Sequence, residues 1–96
     1  TKIGRVIHAL RPGEAPPAGM RANGLPGFAP RFDYSYGGVM RSIEHSRLRL
    51  GIARIDVVLI HDIDLWSVGD AALLEERFRT VMDSGYRALD ELRRAA

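Results

Sequence analysis

Arg54-Ile55-Asp56-Val57-Val58-Leu59-Ile60-His61-Asp62 is the stretch on which the fold turns. Val57 to Ile60 are apolar without interruption, and the chain becomes polar at His61-Asp62. A half-exposed strand alternates apolar and polar residues. An unbroken apolar run of this length fits a strand covered on both faces, as in a parallel sheet flanked by helices. The reading therefore predicts a buried strand over 55–61. Its backbone groups need neighbours on both edges, because buried N–H and C=O groups must be paired.

Upstream, residues 2–8 form a possible second strand, weakened by Gly4. Residues 9–31 contain all five prolines together with Gly13, Gly19, Gly24 and Gly27, and read as a long irregular loop. Loops of that length in compact domains are often functional. Ser35 fits a helix N-cap, Met40, Ile43 and Leu50 recur on one face, and Gly51 fits the residue that ends the helix. Arg47 interrupts that face, so either its stem snorkels to the edge or the helix is rotated and Leu48 packs instead. After the strand, 62–70 read as a loop. Asp70 caps a helix over 71–82, with Leu74, Phe78, Val81 and Met82 at helical spacing. Ser84-Gly85 is expected to break it, and a last helix over 86–95 places Tyr86, Leu89 and Leu92 on one stripe.

Helices alternating with strands define an α/β layer arrangement. With at most one neighbour for the 55–61 strand, the expectation is one region, 1–96, of a larger α/β domain. The absence of an initiating methionine points the same way. No internal repeat or low-complexity tract is present.

Composition narrows the function classes. The chain has 96 residues, 46% of them hydrophobic, which fits a globular protein. Fourteen basic and 12 acidic residues leave a net charge of +2, and Lys2 is the single lysine among arginines. The basic residues are dispersed, with Arg47, Arg49 and Arg54 the densest group, which argues against nucleic acid as a partner. No apolar run approaches the roughly 20 residues of a membrane span, and no signal peptide opens the chain. There is no cysteine, which excludes disulfides and thiolate metal sites and fits a cytoplasmic protein.

His61 is the residue richest in chemistry. It stands at the C-terminal end of the predicted strand, where α/β folds gather catalytic groups. An imidazole there can bond a substrate oxygen near neutral pH, or simply tie a loop carbonyl. With Asp62 and Asp64 it also offers three metal ligands at a spacing of little specificity; loop capping explains those carboxylates more simply, and no metal is expected. Trp66 either walls a substrate pocket or covers a rim. Lys2, judged by position alone, is a solvated residue. No glycine-rich phosphate loop is present, so a Rossmann-type nucleotide site is not expected in this chain.

Two blocks resemble the aldo/keto reductases, in particular the branch that includes sugar and pyridoxal dehydrogenases. The first is Thr1-Lys2-Ile3-Gly4-Arg5. The second runs from Phe32-Asp33-Tyr34-Ser35-Tyr36 through Val39-Met40-Arg41-Ser42-Ile43-Glu44 and Arg49-Leu50-Gly51 to Arg54–Asp62, with Ser84-Gly85-Tyr86-Arg87-Ala88-Leu89 further on. Most of the chain outside 9–31 is covered. The resemblance implies a partial TIM (β/α)8 barrel, about two parallel strands with their following helices, from an enzyme that moves hydride between NAD or NADP and a small carbonyl or sugar substrate. In that family a tyrosine handles the proton, a lysine lowers its pKa, an aspartate pairs with the lysine, and a histidine orients the carbonyl. By motif position Lys2 corresponds to the lysine and His61 to the histidine; Trp66 is a substrate-binding candidate by its own place in the loop after the strand. The aspartate and tyrosine would precede Thr1, and most of the cofactor pocket would follow Ala96. Gly38 and Arg47-Leu48 depart from the family pattern on or near the helix, which touches packing rather than chemistry. The isolated chain is expected to be inactive. The alternative is a non-catalytic barrel piece that acts by strand-edge association.

Overall fold

The computed structural model describes residues 1–15 and 27–95. Its elements are β1 (Lys2–Ile3), β2 (Arg5–Ala9), β3 (Phe28–Phe32), α1 (Tyr36–Leu50), β4 (Leu59–Ile60), α2 (Leu65–Val68), α3 (Ala71–Thr80), a π turn (Val81–Gly85) and α4 (Tyr86–Ala95). Strands and helices mix as expected, and β1 pairs with β4 in parallel, Lys2 opposite Leu59 and Ile3 opposite Ile60. No barrel closes: among the described residues the strands form two separate two-stranded sheets.

The strand expected over 2–8 is divided at Gly4, whose φ of 101° turns the chain out of the parallel ladder. Beyond it β2 pairs antiparallel with β3, Arg5 opposite Phe32 through Ala9 opposite Phe28. β3 thus corrects the end of the loop expected over 9–31; residues 16–26 of that loop lie outside the described residues. Pro30 is tolerated because β3 pairs only with β2 among the described residues, and a proline can stand on an edge strand.

The strand expected over 55–61 shrinks to Leu59–Ile60, and it is not buried on both faces. Val57 is 62% and Leu59 53% exposed. The cause is the missing second neighbour: β1 supplies one edge and only a short ladder. The core, made by Ile3, Val39, Ile43 and Ala88, lies on one side of this sheet, with Val58, Leu89 and Leu92 packed against it.

α1 begins and ends as predicted. The Ser35 hydroxyl accepts from Gly38 N, and Gly51, at φ 67°, donates to the Arg47 carbonyl. Of the two resolutions of the Arg47 conflict, the rotated helix with Leu48 packing does not hold. Leu48 is 75% exposed, and the buried stripe is Val39, Ser42, Ile43 and Ser46. The two serines keep the helix close to the strand: Thr1 Oγ1 donates to Ser46 Oγ at 2.7 Å, and Ser42 Oγ donates to the Lys2 carbonyl at 3.4 Å.

Residues 62–70 are not simply a loop. Asp64 accepts from Ser67 N at 2.8 Å and caps the short α2. Asp70 caps α3 as predicted, accepting from Leu73 N at 2.9 Å. Ser84-Gly85 does not break the helix; the π turn carries it into α4. Gly85 is needed for closeness instead, since a Cβ there would collide with the Tyr34 carbonyl oxygen. Val81, Gly85 and Ala88 face inward, while Tyr86, expected on the buried stripe, is exposed. α3 buries none of its residues, and Leu73 and Phe78 stay open to solvent. No helix among the described residues is long and apolar enough to cross a membrane.

Candidate functional site

Because β1 and β4 are parallel, their C-terminal ends lie at one edge of the sheet, and His61 follows β4 there. The ladder continues to this point: Leu59 N donates to the Thr1 carbonyl and His61 N to the Ile3 carbonyl, both at 2.8 Å. Side chains alternate across a strand. Ile3 is buried against the helices, so Lys2 belongs to the opposite, bare face, beside its register partner Leu59. His61, two residues after Leu59, is of the same set. Lys2 and His61, far apart in sequence, thus share one face and neighbouring register positions.

His61 is boxed in by aromatic residues that the sequence reading did not single out for the site. The Tyr34 hydroxyl donates to the His61 carbonyl at 2.6 Å. The Phe32 ring stacks on Tyr34, centroids 6.2 Å apart, and meets the imidazole edge-on at 6.3 Å. The Arg77 guanidinium lies 4.4 Å from the Phe32 centroid, close enough for a cation–π contact. Phe32 and Tyr34 are spaced by the strand period immediately before the Ser35 cap. That spacing is the one signal in the sequence that could have found them; nothing local marks Arg77.

Electrostatically the corner is mixed. Burial pushes the Tyr34 phenol above its ordinary pKa of 10.0, Asp62 and Asp64 add to the rise, and Arg77 opposes it. Asp62 Oδ2 stands 2.8 Å from His61 Nδ1, but the angle does not make a hydrogen bond, and the buried Nδ1 has no bonded partner among the described residues. The contact is an electrostatic neighbour only, because short distance without alignment gives little bond strength. Asp62 itself holds the left-handed backbone conformation, φ 49°, that turns the chain away from the strand.

The remaining sequence candidates separate. Asp64 is committed to α2: Ser67 N and Ser67 Oγ donate to its two oxygens and hold its carboxyl below the usual range. Among the described residues no cluster of three acidic or imidazole groups could hold a metal ion, so the metal-ligand reading of His61, Asp62 and Asp64 finds no geometry. Trp66, on α2, is 93% exposed. Two concave surfaces, of about 440 and 470 Å³, lie between α1 and α4 and along α3 with the π turn; neither is lined by Lys2, His61 or Trp66.

An imidazole anchored at a strand end, with a lysine on the same face, can hydrogen-bond and polarise a carbonyl oxygen. Phe32 and Tyr34 cover part of it, and the His61 side chain remains 19% exposed.

No known family's sequence profile matches the chain, and no solved structure matches it. Among curated proteins, the chain is 41% identical over 103 aligned residues to a pyridoxal 4-dehydrogenase from Microbacterium luteolum. The alignment covers 99% of this chain and 30% of that relative, so the chain spans less than a third of the length of the curated protein it matches.

Proposed function

We propose that this chain is part of an aldo/keto reductase-type oxidoreductase, contributing two neighbouring staves of its barrel. One observation carries the reading. The parallel register sets Lys2 beside Leu59 and the continuing ladder brings His61 to the same side of the sheet, at the C-terminal ends of the strands. A face of Val57 and Leu59 left open to water is costly at roughly 25 cal/mol per Å², and closure of a barrel over it removes that cost. The partial likeness to a dehydrogenase supports the same conclusion.

In this reading His61 donates a hydrogen bond to the carbonyl oxygen of a small aldehyde, sugar or pyridoxal-like substrate. Lys2 lowers the pKa of a tyrosine supplied from elsewhere in the barrel, and Trp66 comes to lie against the substrate once further loops enclose it. Redox chemistry belongs to NAD or NADP. In this reading its binding falls mainly to other parts of the protein.

A second reading has its own support. In β4 the amides of Leu59 and His61 point to β1, so by alternation those of Val58 and Ile60 point to the open edge, ready to pair with another chain. A non-catalytic module of this kind would associate through that edge.

The two are separated by nicotinamide absorbance with pyridoxal and aldoses as substrates. The protein carrying this segment in its natural context is expected to turn over, the 96-residue segment alone to be inactive, and His61→Gln to lose most activity. Full turnover by His61→Gln refutes the catalytic assignment. Size-exclusion of the segment tests the second reading: a stable monomer at high concentration refutes it.

A further inference from the structure

We infer that Tyr34 is a positioning residue that fixes the orientation of His61. The inference rests on the reading of His61 as a substrate-binding group, and the local geometry carries it. Tyr34 is 3% exposed, and a buried phenol needs a hydrogen-bond partner. The partner is the carbonyl of His61, at 2.6 Å. On the other side the His61 amide is held by the Ile3 carbonyl at 2.8 Å. Both backbone polar groups of the histidine are therefore tied, one by the ladder and one by the phenol, at the point where the ladder ends.

The phenol is placed for this by its neighbours. A Cβ on Gly4 would occupy the space of the Tyr34 ring, so the glycine that divides the first strand also seats the tyrosine. Phe32 stacks on Tyr34 with planes 12° apart and meets the imidazole at 71°, which limits the rotation of the histidine ring. Asp62 follows in a left-handed conformation and, being non-glycine, depends on its surroundings to stay there. Without the phenol the His61 carbonyl loses its tie and the corner can relax. Groups that act on substrate tolerate displacements of only about 0.5 Å, so the consequence is kinetic rather than a loss of fold.

The test compares unsubstituted protein, Tyr34→Phe and His61→Gln, each in the full protein that carries this segment. Tyr34→Phe keeps the ring stack and removes one hydrogen bond. It is expected to lower kcat/KM for the carbonyl substrate about three- to tenfold, the rate equivalent of one net hydrogen bond, with the KM for the nicotinamide unchanged. The ¹⁵N signals of the His61 imidazole are expected to shift or broaden. A merely structural tie would leave both unaltered in the folded fraction. Unchanged kcat/KM and imidazole signals in Tyr34→Phe, while His61→Gln is impaired, overturn the inference and leave the functional reading standing. Full activity of His61→Gln sinks the functional reading instead, and the imidazole signals still decide whether Tyr34 positions the ring. If Tyr34→Phe does not fold, the hydroxyl proton of Tyr34 in the unsubstituted protein decides: slow exchange with a nuclear Overhauser contact to the Asp62 amide supports the inference, and rapid exchange overturns it.

Discussion

Tyr34 and His61 are joined by a hydrogen bond from the phenol of one to the backbone carbonyl of the other, 2.6 Å long and spanning 27 positions of sequence. It links the residue before the N-cap of the first long helix to the end of the parallel strand. The candidate site is thus built into the same corner that holds the two layers together.

A pH effect follows from that burial. The Tyr34 phenol sits above its ordinary pKa of 10.0, chiefly through desolvation, and Tyr36 is also raised because it donates to Glu91 at 2.5 Å. The folded chain therefore keeps these protons after the unfolded chain has lost them, so stability falls as pH rises past about 10. Denaturant titrations at rising pH are expected to show this loss, with a shallower decline in Tyr34→Phe. An unaltered slope in that variant would remove Tyr34 from the account.

Two glycines in helical segments are expected to respond in opposite directions. A Cβ on Gly85 meets the Tyr34 carbonyl, and nothing on the backbone side can yield cheaply; Gly85→Ala is expected to destabilise by about 1–3 kcal/mol. Gly37, in the first turn of α1, has open space around it, and Gly37→Ala is expected to stabilise by about 0.5–1 kcal/mol. Thermal melts of the two variants check both signs.

Asp70 is the only side chain that closes the start of α3, through Leu73 N, among the described residues. Asp70→Ala is expected to cost about 1 kcal/mol and Asp70→Ser much less, since a serine hydroxyl serves the same cap. Equal losses in both variants would point to something other than capping.

Removing the charge of Lys2 tests its assigned role. If the lysine lowers a tyrosine pKa in the complete protein, Lys2→Met raises that pKa and moves the ascending, acid-side limb of the pH–rate profile for substrate oxidation to higher pH. A profile that falls in height without shifting assigns Lys2 to packing or binding.

Local chemistry made part of this structure readable from sequence, and tertiary chemistry hid the rest. Both ends of α1 and the start of α3 were legible because Ser35, Gly51 and Asp70 act on backbone groups a few residues away. The parallel partnership of Lys2–Ile3 with the apolar strand was legible because buried strand edges require it. β3 was hidden under Pro30 and its glycine neighbours, since an edge position excuses the missing amide only once the hairpin exists. Ser42 and Ser46 carry no apolar signal, yet they are buried because their small size lets α1 approach Thr1 and Lys2. Gly85 read as a helix breaker, whereas its real constraint is the distant Tyr34 carbonyl. The positions of Lys2 and His61 in the sheet were within reach of the sequence; Phe32, Tyr34 and Arg77, which surround the histidine, come together only in the fold.

Hydrogen exchange at two amides tests the barrel assignment most directly. Leu59 N and His61 N are spent on β1, so Val58 N and Ile60 N face the open edge of β4. In the protein that carries this segment within its natural neighbours, these two amides are expected to exchange slowly, as members of a further strand pair, while in the 96-residue segment alone they exchange quickly. Rapid exchange at Val58 and Ile60 in the complete protein would contradict a closed barrel.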